Sequence, residues 1–453
     1  MANLSVSKNY IRPLFKIAMP IMISNIISQV QMLIDRLYLA QLGDIYMSAL
    51  SNILAPMWTT MSFVFSLSTG ASILISQAIG AGETSKIGNY AGALWKYHNI
   101  FGIMLFFVWF FGSRGIFSAM GVSENIMPMC LTYIRIYAPV FLFCPLGAAC
   151  MVTFQTSNYT KPLVYSGIIR AGLNIFLDWV MIFGHLGFPA MGIAGAALAT
   201  TIAEFAGALV LFVIVLVKKG IISMPTWKQI VCSKFRDYFI GCKLGINTAL
   251  EDLMWNLGNL LIIRILNSIN EMAAGIYSVV FAVELLVVVV IGAIGSGTMT
   301  LTGEATGRRD SVQYRGITKL AYAVCALASA FLLVLCILIP KQLIGLFISD
   351  PVIIASSVVY MWMMAINLFS KSGNIIFGSA IRGYGNPKWM FFTQIFGTIF
   401  VVSLSALFVY GFRWAILGVF VAVLLDEFIR CIVNFGKYLS IRTFEKLKIE
   451  KMG

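Results

Sequence analysis

Residues 76–83 read SQAIGAGE and residues 303–310 read GEATGRRD. Laid over one another at an offset of 227, the two stretches align Ala78 with Ala305, Gly80 with Gly307 and acidic Glu83 with Asp310. The same offset sets Lys16 on Lys243 and Lys161 on Lys388, and after a four-residue slip Glu204 falls on Glu427. Chance supplies any one such match. The set, in order along the chain, points to an internal duplication.

What is duplicated follows from the flanks. Apolar runs of about 20 residues, the length that crosses a bilayer core as a helix, lie near 14–39, 47–78, 90–112, 130–153, 161–184, 192–217, 239–265, 273–301, 316–339, 354–381, 388–410 and 414–437. They are continuous, without the ten-residue alternation of an outer-membrane barrel, so they read as helices. The 453 residues are 60% hydrophobic and 11% charged, with mean hydropathy +0.90. No soluble domain of this size buries that much apolar surface, and the fold class expected is an all-α polytopic membrane protein. Six spans in each half is an even number, which gives both halves the same orientation and relates them by a pseudo-two-fold along the membrane normal. The expected division is an N-terminal six-helix lobe (1–217), a basic cytoplasmic linker (218–238), a C-terminal six-helix lobe (239–437) and a basic cytoplasmic tail (438–453). The N-terminal MANLSVSKNYIRP is short and polar, and the apolar run behind it is too long for a signal-peptide core, so it reads as a retained first span.

The net charge of +14 and pI near 9.4 have a topological explanation. One side of the membrane carries Lys8, Arg12, Lys86, Lys161, Lys218, Lys219, Lys228, Lys234, Arg236, Arg308, Arg309, Arg315, Arg382, Lys388 and the tail from Lys437 to Lys451. The other carries only Arg114, Lys341 and Arg413. The positive-inside rule then puts both termini in the cytoplasm and the chain in the cell's inner (plasma) membrane as a multi-pass protein. No basic cluster has interleaved aromatics, so nucleic acid is excluded as a partner. The eight cysteines form no C-x-x-C, and His98 and His185 lie on different segments, so neither a disulfide framework nor a metal centre is indicated.

Charge inside the spans is rare and costly, at roughly 3 to 10 kcal/mol or more per group. The stretch AGLNIFLDWVMIFG (171–184) nevertheless holds Asn174 and Asp178, four apart and therefore on one helix face. At 1.5 Å per residue, Asp35 and Asp178 each lie roughly 9 Å, and Thr200 roughly 12 Å, below the outer ends of their spans. Two carboxylates, a carboxamide and a hydroxyl at one depth are hard oxygen ligands for sodium, or a carboxylate pair able to carry a proton. The competing reading makes ion pairs of Asp35 with Arg36 and of Asp178 with Arg170. Offset by 227, Asp35 falls on Ile262, Asn174 on Val401 and Asp178 on Ser405, so the second half cannot build the same site. It has its own mid-depth acids instead. Glu251 and Glu284 are candidates for a substrate or second cation site, with Asp252, Glu427, Lys371 and Arg430 as possible partners, and Asp426, Glu427 and Arg430 have the spacing of a structural ion-pair cluster. Glu204 lies too deep for the outer site and reads as a packing or water-linked carboxylate.

The six-plus-six plan, the QAIGAGE turn after span 2 with its EATGRRD echo after span 8, Pro20 followed by Asp35 in span 1, LNIFLD in span 5 and GIAGAALAT opening span 6 resemble the multidrug and toxic compound extrusion (MATE) antiporters of prokaryotes over nearly the whole chain. The resemblance implies two lobes in a V, alternating access, and export of amphipathic, often cationic compounds against an inward flow of protons or sodium. Carried over by position, it implies a cation-coupling site, for a proton or sodium, at Asp35, Asn174, Asp178 and Thr200, with Thr201 the alternative if the register slips. The second half departs from the family pattern: Asn247 stands where a proline is expected, and span 10 has Lys371 where an acid is expected.

The function expected is therefore a secondary multidrug efflux antiporter with small-molecule substrates, working in the lipid bilayer as a monomer and with no cofactor beyond the coupling ion, H+ or Na+. The alternative on the same plan is a flippase for lipid-linked oligosaccharide or cell-wall precursors, which would need cations in its cavity to hold a pyrophosphate. Apart from Lys371, the intramembrane charge of the second half reads as mostly acidic, which favours cationic cargo. An enzyme is not expected, because no nucleophile with its base and no H-E-x-x-H is present, and no P-loop points to ATP. The 34 Phe and 23 Met suit a promiscuous apolar cavity, although any one of them is more simply core or lipid-facing.

Overall fold

A computed structural model of the chain describes residues 2–441. The expected basic tail is therefore seen only to Ile441, and the rest of it lies outside the described residues. All regular structure among the described residues is helical: α1 (Ala2–Ala40), α2 (Asp44–Gly80), α3 (Thr84–Ala119), α4 (Met127–Tyr137), α5 (Val140–Thr156), α6 (Lys161–Phe183), α7 (Ile193–Val217), α8 (Trp227–Val231), α9 (Phe235–Asn267), α10 (Glu271–Gly307), α11 (Ser311–Leu338), α12 (Pro340–Gly345), α13 (Pro351–Gly383), α14 (Pro387–Gly411) and α15 (Ala415–Ser440).

Helix ends are set by local chemistry. Asn270, Asp310 and Asp350 each accept a backbone N–H of the following first turn at 2.8 Å, and Pro340, Pro351 and Pro387 occupy the first turn, where no N–H is needed. Nine described helices are long and apolar enough to cross a membrane, and α4 with α5 makes a tenth span bent by 48°. That span reads as one continuous run in the sequence. It breaks at Ala138–Pro139, because proline lacks the N–H and disfavours helical backbone in the residue before it. The two remaining long helices, α9 and α15, complete the twelve. Each carries several charges, among them Lys243, Glu251, Asp252 and Arg264 on α9, and Asp426, Glu427, Arg430 and Lys437 on α15. Outward rows such as Phe107 and Phe111 on α3, or Leu327, Phe331 and Leu338 on α11, are half or more exposed, as expected of surfaces that face lipid rather than water.

The chain forms two compact units. Among the described residues, one comprises 19–75 and 83–246, the other 2–18, 76–82 and 247–441. Inside the first, Trp109 stacks on Phe141 with ring centroids 5.7 Å apart, at the heart of a core built from α2, α3, α4, α5, α6 and α7. The short α8 lies in the stretch between the two sets of six spans. Thr226 and Gln229 form a reciprocal capping box at its start, and Gln229 packs on Gly88 and Gly92 of α3.

The duplication read from the sequence recurs in the backbone. Gly82 and Arg309, 227 apart, both adopt left-handed backbone (φ +72° and +59°), and so do Asn158 and Gly385 (φ +54° and +98°). Helix crossings repeat as well. Within the first unit, Gly70 is pressed against the backbone of Gly241 and Gly245; within the second, Gly297 meets Leu14 and Ala18, which are those residues' counterparts at the same offset. In the second unit Gly80 faces the backbone of Glu304, and Gly307 faces that of Gln77. A side chain at any of these glycines other than Gly241 and Gly297 would overlap main chain, so the SQAIGAGE and GEATGRRD motifs are a close helix crossing. Gln77 secures it by donating to the Gly383 carbonyl at 2.8 Å.

Candidate functional site

The first unit brings Asp35, Asn174, Asp178 and Thr200 together. Asp35 lies five residues before the end of α1, Asp178 five before the end of α6, and Thr200 seven beyond the start of α7. Asn174 is fully buried and Asp178 is 1% exposed, on a helix whose outer face carries Phe176 and Trp179. Asn174 Nδ2 points to Thr200 Oγ1 at 3.4 Å, and Thr200 also donates to the Ala196 carbonyl at 2.8 Å. Thr201 instead donates to the carbonyls of Ala197 and Ile136. The carboxyl groups of Asp35 and Asp178 stand within hydrogen-bonding reach of one another.

No protein donor serves Asp35 Oδ1, Asn174 Oδ1 or either carboxylate oxygen of Asp178. An unsatisfied buried acceptor costs about 1–3 kcal/mol, more when charged, so four of them in one place make a site that is unstable unless something positive joins it. A shared proton or a monovalent cation would satisfy these oxygens, and Thr200 offers a fifth. Among the described residues no group of three or more His, Cys, Asp or Glu could hold a metal ion.

Tyr133 belongs to the same place and sequence reasoning missed it. It lies close to Thr200 and both carboxylates, its ring is 4% exposed, and it stacks on Tyr137 at 5.9 Å. It sits on α4 one turn before the bend. The signal available was Pro139, which makes span 4 a broken span, the kind of element that often lines membrane sites.

The ion-pair reading of these acids does not describe the fold. Arg170 binds Glu204 (3.4 Å) and the Ser28 hydroxyl rather than Asp178, and Arg36 is exposed. Glu204 is thus the carboxylate partner of Arg170.

In the second unit the acids are paired. Glu251 takes Arg382 at 2.5 Å, Glu284 takes Lys371 at 2.8 Å, and Arg430 holds Asp426 at 2.8 Å and Glu427 at 3.0 Å. Glu427 also accepts from Asn374 at 2.6 Å. The acidic excess read from the sequence is therefore offset by three largely buried cations. Arg382 was not among the partners expected for Glu251, since it falls at the end of α13 and counts with the cytoplasmic charges; its long side chain reaches back along the helix bundle. Glu251 and Glu284 each keep one buried oxygen without a partner.

The family model MatE matches residues 20–180 and again 248–407, and the second match begins where the 227-residue offset puts it to within one position. Over 433 residues the chain is 25% identical to the "Uncharacterized transporter YisQ" of Bacillus subtilis (strain 168), covering 94% of each chain. Over 471 it is 25% identical to the "Probable multidrug resistance protein NorM" of Thermotoga maritima, covering 96% of each. Among solved structures, a MATE protein in its bent conformation superposes with TM-score 0.86 at 17% identity, over 100% of this chain and 98% of that one. With both halves of the repeat matched by one family and the whole helical fold superposing on its structures, the chain belongs to the MatE family and has its twelve-helix, two-lobe membrane fold.

Proposed function

We propose that the chain is a secondary multidrug efflux antiporter that exports amphipathic, cationic compounds by alternating access in exchange for protons or sodium ions, with Asp35, Asn174, Asp178 and Thr200 as the coupling site and Tyr133 bordering it. The observation that carries this reading is the convergence of four orphaned buried oxygens at one depth in the first unit. A proton or sodium ion entering there relieves the repulsion between two carboxylates. Binding of the ion is then linked to conformation, as coupling to a gradient requires. The names of the relatives, transporters and multidrug resistance proteins, support the cargo class. The positive-inside asymmetry places both termini in the cytoplasm of a plasma-membrane protein. The protein acts as a monomer on small molecules. A precursor flippase fits less well, because Lys371, Arg382 and Arg430 each stand against a carboxylate whose charge would repel the doubly or more negative pyrophosphate.

The test is efflux of a cationic dye from cells or vesicles with proton and sodium gradients imposed separately. Asp35→Asn and Asp178→Asn should insert and fold normally yet abolish gradient-driven efflux. Near-normal efflux in both variants refutes the assignment.

A further inference from the structure

The second unit holds a small cleft, partly open to its surroundings, that stands where the repeat puts the counterpart of the acid site. At the 227 offset Asp35 becomes Ile262 and Asn174 becomes Val401, and after the four-residue slip Thr200 becomes Val423; all three line the cleft. The polar ligands of the first unit are thus replaced by aliphatic wall. On another side the rings of Trp255, Phe281 and Tyr277 follow one another at centroid spacings of 6.2 and 6.4 Å. The cleft thus has an aromatic and aliphatic wall on one side and a charged one, with Glu284, Lys371, Asp426, Glu427 and Arg430, on the other.

The charged groups with the most spare hydrogen-bonding capacity in it belong to one ion pair. Arg430 is largely committed: Nε bonds both Asp426 oxygens, Nη2 bridges Asp426 and Glu427, and Nη1 donates to Gln394 at 2.8 Å. Lys371 is different. Its ammonium has three N–H groups but makes one hydrogen bond among the described residues, to Glu284 Oε1 at 2.8 Å, and lies over the Phe281 ring at 5.9 Å. Glu284 is 2% exposed, and its second oxygen has no partner. The cleft therefore offers one spare cationic donor and one spare anionic acceptor, side by side.

We propose that this cleft binds an aromatic zwitterion whose ammonium and carboxylate are close neighbours, as on an α-amino acid, with the carboxylate on Lys371 and the ammonium on Glu284 Oε2. A simple organic cation at Glu284 would be repelled by Lys371, and a simple anion at Lys371 by Glu284, Asp426 and Glu427. A zwitterion sets an opposite charge beside each member of the pair, in an alternating ring of four charges. The separation of the ligand's charges must match that of the pair, which selects the compact amino-acid-like headgroup, while the Trp255–Phe281–Tyr277 wall takes the ring. The role of such a ligand as cargo rests on the transport reading above, but its binding does not.

The experiment is calorimetric titration of the purified full chain in detergent, in mildly acidic buffer, with L-tryptophan, tryptophan methyl ester (a cation) and N-acetyl-tryptophan (an anion). The wild type should prefer tryptophan to either analogue by about tenfold or more, the worth of one charged hydrogen bond. Lys371→Met should turn the preference toward the ester and Glu284→Gln toward the N-acetyl compound. The double variant Lys371→Met/Glu284→Gln, which leaves no buried charge alone and so keeps the test available if a single variant does not fold, should lose the ranking altogether. A wild type that binds none of the three, or binds the ester as tightly as tryptophan, overturns the proposal, as does a ranking that survives in the double variant. Asp35→Asn should leave the ranking unchanged even where it stops efflux, so failure of the coupling assignment and failure of this site are separately visible.

Discussion

Asp178→Asn exchanges a buried carboxylate for a neutral group of the same shape, and its consequence for stability can be worked from the site. The Asp35 and Asp178 carboxyl groups are within hydrogen-bonding reach of one another, and Asp178 has no protein donor on either oxygen. Two unit charges about 4 Å apart repel by about 4 kcal/mol at an effective dielectric constant of about 20. In the wild type that repulsion is relieved only when a proton or sodium ion arrives, so its melting temperature in detergent should rise on adding the coupling ion. By mass action the gain is about 2.7 kcal/mol at a hundredfold excess over Kd. In Asp178→Asn the repulsion is gone without any ion, and the amide can itself donate to Asp35. The variant should therefore melt higher than the ion-free wild type and respond little to sodium or to acidification. The assay is thermal unfolding of both proteins across a sodium series at constant ionic strength and across a pH series at constant sodium. A variant that melts lower than the ion-free wild type and keeps the full ion-dependent shift would show that the two carboxylates do not form one ion-binding unit.

Two further outcomes follow from the packing. Gly80→Val puts branched atoms into the backbone of Glu304 at the motif crossing, and overpacking of this kind costs about 1–3 kcal/mol or more; thermal unfolding should show the loss, whereas Gly112→Ala, whose Cβ meets open space, should be silent. Glu251→Gln leaves the Arg382 guanidinium buried without its carboxylate, a loss of about 3 kcal/mol for a broken buried pair, and Glu251→Gln/Arg382→Gln should recover much of it; equal melting of wild type and single variant would show that the 2.5 Å pair contributes nothing.

Much of the site was legible because helix geometry is periodic. Depth follows from counting residues, and the i, i+4 spacing fixes Asn174 and Asp178 on one face, so the shared level of Asp35, Asp178 and Thr200 is arithmetic on the sequence. Rotation about each helix axis is not set by that arithmetic. This is why Thr200 and Thr201 stood as alternatives until the fold turned Thr200 to Asn174 and Thr201 to Ile136. Tyr133 escaped notice because one tyrosine among many aromatics in a span carries no mark of its own, and the broken span that positions it was read as continuous.

By itself the sequence determined the class of the protein, the number of spans and the duplication, because a bilayer admits few solutions for a chain this apolar and a repeated motif at a fixed offset survives in the letters. Only the tertiary structure decided who pairs with whom. Glu251 could have met Lys371 or Arg430 and meets Arg382; Asp178 could have met Arg170, which turns instead to Glu204 and Ser28. Charges separated by a hundred residues or more are brought together by helix packing, and long side chains reach a turn or more from their backbone. The identity of a buried ion pair, and hence which oxygens are left without one, is therefore a property of the packed bundle that no single helix contains.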